Sequence, residues 1–263
     1  MNKLAKLASQ YKKNGKKAFV TCLTGGYPSL KDTFELASIL VNNGADILEL
    51  CIPFSDPVAD GPTIQYSSEI ALKKGTSLNK IIELTRKFKE ITDVPVVFMS
   101  YLNPLYNMGL ENAFKKLDGV ADGLIIPDTV PEECSKFKSI ANKHNISLIP
   151  LVAPNTPKDR LKYIDKITDS FTYIVSLTGV TGARKDLAGG IKDYLLLTKK
   201  NMHSPRYIGF GISTPKHVSQ VKPYVDGIIV ASAIINIIKE SRSIKERNTK
   251  VAGFVKNIRK ALD

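Results

Sequence analysis

The chain has no tryptophan, and only three cysteines and three histidines among its 263 residues. Cys22, Cys51 and Cys134 are irregularly spaced, with no Cys-x-x-Cys pair, and His144, His203 and His217 lie far apart. Neither a disulfide framework nor a zinc site is expected from such spacing, and no metal is assigned. Unpaired thiols fit a reducing cytoplasm. Long apolar runs are missing too. Even Ala231 to Ile238 is broken by Ser232 and Asn236, well short of the roughly 18 residues of a membrane span. The opening residues, Met1 to Leu7, lack the apolar core and small-residue cleavage site of a secretory leader, and their spacing predicts a short amphipathic helix instead. Acidic residues are few, 25 against 38 Lys and Arg, which leaves a formal charge of +13. The lysines are scattered rather than gathered into a stripe with interleaved aromatics. They read as solvated helix faces that attract an anionic substrate, not as a nucleic-acid surface. No P-loop lysine motif is present, which argues against a nucleoside triphosphate.

What the chain does have is an ordinary globular balance, 43% hydrophobic and 24% charged. Apolar, often β-branched runs recur at Ala18 to Leu23, Ile47 to Ile52, Val96 to Met99, Gly123 to Ile126, Ser147 to Val152, Tyr173 to Leu177, Tyr207 to Phe210 and Gly227 to Val230. Between them lie stretches with apolar residues at three- and four-residue spacing, such as Leu36, Ile39 and Leu40. Strand and helix alternate about eight times, and no linker divides them. This pattern predicts an α/β fold, a (β/α)8 TIM barrel spanning residues 1–263 as a single domain. The N-terminal helix is extra, and further helices, one of them within Gln65 to Gly75, are inserted on the rim loops. The competing architecture is an open doubly wound sheet, against which stands the lack of a Gly-x-Gly-x-x-Gly at the first crossover.

The stretch Leu48 to Gln65 carries most of the chemistry. It starts as an apolar strand with Glu49 set inside it and ends in a loop rich in Pro, Asp and Gly that holds Asp60. A carboxylate inside a buried strand costs several kcal/mol unless it is paired or used. Desolvation should raise the pKa of Glu49 toward neutrality, whereas Asp60, in a polar loop, should stay ionised. The structural alternative is equally concrete: Glu49 paired with a buried Lys or Tyr, and Asp60 capping a turn. A second constellation is a phosphate cradle after the last three strands, made of Gly179 to Gly182, Gly209-Phe210-Gly211 and Ala231-Ser232, where glycine N–H groups and a helix start meet an anion. A third is an apolar slot at the barrel mouth formed by Phe19, Cys22, Met99, Ile125, Tyr173 and Phe210, suited to a planar aromatic ring. Each of these six is also an ordinary inward-facing barrel residue.

Leu48-Glu49-Leu50, Ile52 to Pro57 and Ala59 to Gln65 resemble the signature of the tryptophan synthase α subunit family. Pro127-Asp128, Gly179 to Ala183 and Gly209 to Ser213 follow in matching order and spacing, so the likeness covers nearly the whole chain. The resemblance implies a lyase that cleaves indole-3-glycerol phosphate to indole and glyceraldehyde 3-phosphate. It implies Glu49 as the acid-base residue, Asp60 holding the indole N–H, and Tyr173 beside the reacting centre. Gly182, Gly211, Ala231 and Ser232 would hold phosphate, with Thr181 in the substrate pocket. No cofactor is expected in this chain. The implied partner is a pyridoxal-phosphate β subunit in an αββα heterotetramer, which receives indole through a tunnel. A stand-alone lyase releasing indole, or a silent barrel that only activates a β subunit, are the alternatives. Three positions depart from the family pattern: Cys51 and Ala231 replace glycines, and Tyr27 replaces an aspartate in the first loop. Arg184 falls on the loop expected to close over substrate.

Overall fold

The computed structural model describes residues 2–175, 191–209 and 211–263. Nine strands among them form one parallel sheet: β1 (Ala18–Thr24), β2 (Ile47–Cys51), β3 (Val96–Met99), β4 (Gly123–Ile125), β5 (Ser147–Leu148), β6 (Leu151–Val152), β7 (Thr172–Val175), β8 (Arg206–Gly209) and β9 (Gly227–Val230). Their order is β5-β4-β3-β2-β1-β9-β8-β7-β6. The two terminal strands of that order are the two ends of one segment. The Ile149 N–H donates to the Leu124 carbonyl at 3.0 Å on the β4 side, and the Tyr173 N–H donates to the Pro150 carbonyl at 2.9 Å on the β7 side. Pro150 has no N–H for a ladder, which splits the segment. Residues 147–152 therefore close the ring, and the expected eight-unit barrel is present with its fifth strand in two pieces.

Parallel strands need crossovers, and the helices that supply them cover the outside of the ring. β1, β2 and β9 are buried along their whole lengths. Side chains alternate between two cores. Ala18, Val20, Ile47, Val97, Ile125, Ile149, Phe171, Tyr207 and Ile229 fill the barrel interior. Their neighbours Phe19, Leu23, Leu48, Leu50, Phe98, Ile208 and Ile228 pack outward against helix residues such as Leu36, Leu40, Phe88, Val251 and Val255. Phe19 was expected at the barrel mouth, and that expectation is wrong. A strand covered on both faces shows no polar–apolar alternation, so its sequence does not reveal which residues point inward.

The N-terminal helix Lys3–Lys13 plugs the bottom of the barrel. Leu4 and Ala8 join the interior cluster, with Leu7 and Tyr11 packed beside it. Asn2 starts this helix by accepting from the Ala5 N–H, while its amide nitrogen donates to the Asp122 carbonyl at 2.7 Å and to Ser147 Oγ at 3.0 Å. With the amino ends of the strands closed in this way, chemistry is left to the carboxyl ends. The inserted rim helix is Pro62–Lys73. A further helix, Leu102–Met108, occupies Tyr101 to Pro104, which reads as a loop in sequence. Proline is tolerated in a first helical turn, and both Asp128 carboxylate oxygens accept from the Leu102 N–H at 3.0 and 3.1 Å. No helix among the described residues is long and apolar enough to cross a membrane.

Candidate active site

Glu49 sits midway along β2, in register with Cys22 of β1 and Val97 of β3. It shares the inward parity of Ile47, which places its side chain in the barrel interior, and it is only 1% exposed. One carboxylate oxygen, Oε1, faces the Cys51 thiol at 3.9 Å, a weak contact. The other, Oε2, is buried with no hydrogen-bond partner among the described residues. The Lys or Tyr partner of the structural alternative is therefore not seen. Burial pushes the Glu49 pKa up to about 7, and the nearby charge of Asp60 adds to the rise while the thiols oppose it. A free buried carboxyl that titrates near neutrality is suited to giving and taking a proton.

Asp60 arrives from the loop between β2 and the helix Pro62–Lys73, just ahead of Gly61, which stands at that helix's N-terminus. Its environment is drier than the polar loop sequence implies. Burial raises its pKa to about 6, opposed by a hydrogen bond from Tyr101. The expected order of the two acids holds, Asp60 below Glu49, but the gap is narrower than a solvated Asp60 would give. Tyr101, 2% exposed, fastens this loop. Its hydroxyl accepts from the Ala59 N–H at 3.0 Å, and its ring stacks on Phe54 with centroids 5.1 Å apart. Tyr101 follows β3, and its sequence gives it no role, since only the β2–β3 pairing shows that it reaches back to Asp60.

Tyr173 on β7 packs with the interior cluster. Desolvation raises its pKa well above the usual value, and the charges of Glu49, Cys22, Cys51 and Asp60 raise it further. Gly209 makes this placement possible, because a Cβ there would overlap the Tyr173 hydroxyl and ring. Met99 and Ile125 also belong to the interior, in register with each other and, for Met99, with Cys51. Cys22 lies on the same side, its Sγ 3.0 Å from that of Cys51. The cysteine at position 51 thus adds a thiol beside the Glu49 carboxylate. Tyr27 is buried at 4% exposure, edge-on to Tyr66 with centroids 6.1 Å apart, and so anchors the first loop to the inserted helix.

Farther round the mouth, Gly211 follows β8 with φ +62°, a conformation natural to glycine. Ser232, 6% exposed, opens the helix Ser232–Glu240 directly after β9. The first N–H groups of such a helix have no partner within it and favour an anion. Ala231 precedes it with φ −120°, so alanine fits there without the left-handed geometry that would demand glycine. Thr181, Gly182, Arg184 and Phe210 lie outside the described residues.

Comparison with known proteins agrees with this geometry. The profile of the family described as tryptophan synthase alpha chain matches residues 8–263. A tryptophan synthase alpha chain of Thermoanaerobacter sp. (strain X514) is 41% identical over 263 residues, covering all of both chains. The structure of tryptophan synthase subunit alpha from Legionella pneumophila superposes with a TM-score of 0.91 at 34% identity, covering 100% of this chain and 99% of that one. A Pyrococcus furiosus structure, described as the tryptophan synthase a2b2 complex, gives 0.85 at 35% identity, covering 92% of this chain and 97% of its counterpart.

Proposed function

Since the chain belongs to the tryptophan synthase alpha chain family, we propose that it cleaves indole-3-glycerol phosphate to indole and glyceraldehyde 3-phosphate by a retro-aldol reaction and passes the indole to a β subunit. Protonated Glu49 gives its proton to indole C3, which makes the C3–carbon bond breakable. Positive charge then develops over the indole ring nitrogen, where the Asp60 carboxylate accepts the N–H and stabilises it. The carboxylate left on Glu49 takes the proton of the neighbouring carbinol hydroxyl as that bond breaks and the aldehyde forms. The proton count closes, and Glu49 ends as it began. Tyr173 and the apolar walls of Met99 and Ile125 border the ring. Gly211, Ala231 and Ser232 hold the phosphate, with Gly182 and Thr181 completing the cradle.

The observation that carries this reading is the buried, unpartnered oxygen of Glu49, with the Asp60 carboxylate near enough to raise its pKa. The chain works as one barrel domain and needs no cofactor of its own, pyridoxal phosphate belonging to the β partner. Its setting is the cytoplasm, in keeping with the free thiols of Cys22 and Cys51. The test is Glu49→Gln, which keeps the shape and removes the titrating group. Cleavage should fall by about 10³-fold or more, while an unreactive analogue lacking the carbinol hydroxyl still binds. Near-normal turnover in that variant would remove Glu49 from the mechanism.

A further inference from the structure

We propose that Cys22, Cys51 and Glu49 form a binding site for a thiophilic divalent cation of the zinc and cadmium class, and that such a cation inhibits the enzyme from inside its own active site. The two sulfurs and a carboxylate oxygen all lie within 4.8 Å of one another, and all three residues are buried. The thiols are 3.0 Å apart, and Cys51 Sγ is 3.9 Å from Glu49 Oε1. Zinc bound by thiolate at about 2.3 Å and carboxylate at about 2.1 Å in a tetrahedron wants its donors roughly 3.5 Å apart. The donors here need to shift by less than about 1 Å to reach that arrangement.

A second observation points the same way. Glu49 Oε2 is buried without any hydrogen-bond partner among the described residues, a strong acceptor left open beside two thiols. The donor set selects the metal. Two sulfurs suit zinc, cadmium or cobalt and disfavour magnesium and calcium, which require oxygen ligands. Three protein ligands leave a fourth position for water or substrate, as in open metal sites. Binding replaces each S–H bond by a metal–sulfur bond and releases to solvent the two thiol protons, together with the Glu49 proton where that carboxyl is protonated, so affinity rises with pH. The two cysteines stand 29 residues apart in the chain, on neighbouring strands. Spacing rules tuned to short motifs miss such a site, and for that reason the sequence suggested no metal.

The inhibition rests on the acid-base role given to Glu49, whereas the binding does not. A metal that holds this carboxylate blocks proton delivery to the substrate. The experiment titrates the reduced full-length chain with Co²⁺ and with Cd²⁺. A thiolate-to-metal charge-transfer absorption saturating at one equivalent is expected, with cleavage lost in step and restored by EDTA. Cys22→Ser and Cys51→Gly should each abolish the band, and Cys134→Ser should keep it. Circular dichroism confirms that each variant is folded. A wild-type chain with no band, or a band that survives in the Cys22→Ser/Cys51→Gly double variant, overturns the site. A band with full cleavage at saturation overturns the participation of Glu49. Metal binding in a chain that never cleaves substrate counts against the catalytic reading alone.

Discussion

Two carboxyls with raised pKa values impose a pH dependence on the proposed reaction. On the proposed mechanism the active form has Asp60 ionised and Glu49 protonated. With Asp60 at about 6 and Glu49 at about 7, kcat/KM of the isolated chain should be greatest between those values and decline on both sides. The two groups repel, so the limbs belong to the pair rather than to either residue. Asp60→Asn should remove the acidic limb and lower kcat by about 10²–10³-fold, the usual loss on deleting one aimed electrostatic group. A variant that keeps the acidic limb would reassign it. The same burial costs stability. Glu49 is raised from an ordinary 4.5 to about 7, so between those values the folded chain holds a proton that the unfolded chain has lost. Stability therefore falls as pH rises through this window, by an amount of order 3 kcal/mol, and is constant above it. Glu49→Gln should flatten that slope and be more stable than wild type at pH 8 in urea unfolding. Equal slopes in both proteins would show that Glu49 is not desolvated.

At the scale of elements, stability and catalysis occupy opposite ends of the same strands. Asn2 caps the plugging helix and ties it to the Asp122 and Ser147 backbone region at the barrel bottom. Asn2→Ala should cost about 1–2 kcal/mol of stability, the usual range for a lost cap. Turnover at 25 °C should be unchanged, because no group of the rim is touched. A drop in kcat without a drop in unfolding free energy would contradict this division. The same elements show how far the sequence could be read. Val96–Met99 and Gly227–Val230 appear with the bounds that their apolar runs predict. The helix Leu102–Met108 was hidden because Asn103-Pro104 has turn chemistry and its cap, Asp128, comes from another strand's loop. Glu49 was legible because a charge inside an apolar run is anomalous within one strand. Tyr101 and the Cys22–Cys51 contact were not, since each depends on the register between strands. Phe19 misled for a related reason: its strand is buried on both faces, and inward parity is set by neighbours rather than by its own residues.

For the whole molecule, the rim that carries the chemistry also carries exposed apolar side chains. Val58, 83% exposed, follows β2, Tyr106, 54% exposed, follows β3, and Val130, 49% exposed, follows β4. Exposed apolar groups on three successive strand-to-helix connections of a barrel suit a partner surface. A β subunit docked on these connections would lie over the proposed site, the geometry that direct transfer of indole needs. Tyr106 and Val130 are not among the groups that touch the reacting carbons. Placing a charge at either should therefore separate docking from chemistry. Tyr106→Asp and Val130→Asp should weaken association with a β subunit by about tenfold each, in the range of 1–2 kcal/mol that a truncated interface anchor commonly costs. Basal cleavage without the partner should stay near wild type, and the stimulation seen on mixing should recover at higher β concentration. If both variants bind and respond to the β subunit as wild type does, the docking face lies elsewhere on the barrel. If neither they nor the wild type respond at all while cleaving substrate rapidly, the chain works as a lyase in its own right, and the apolar rim serves another contact.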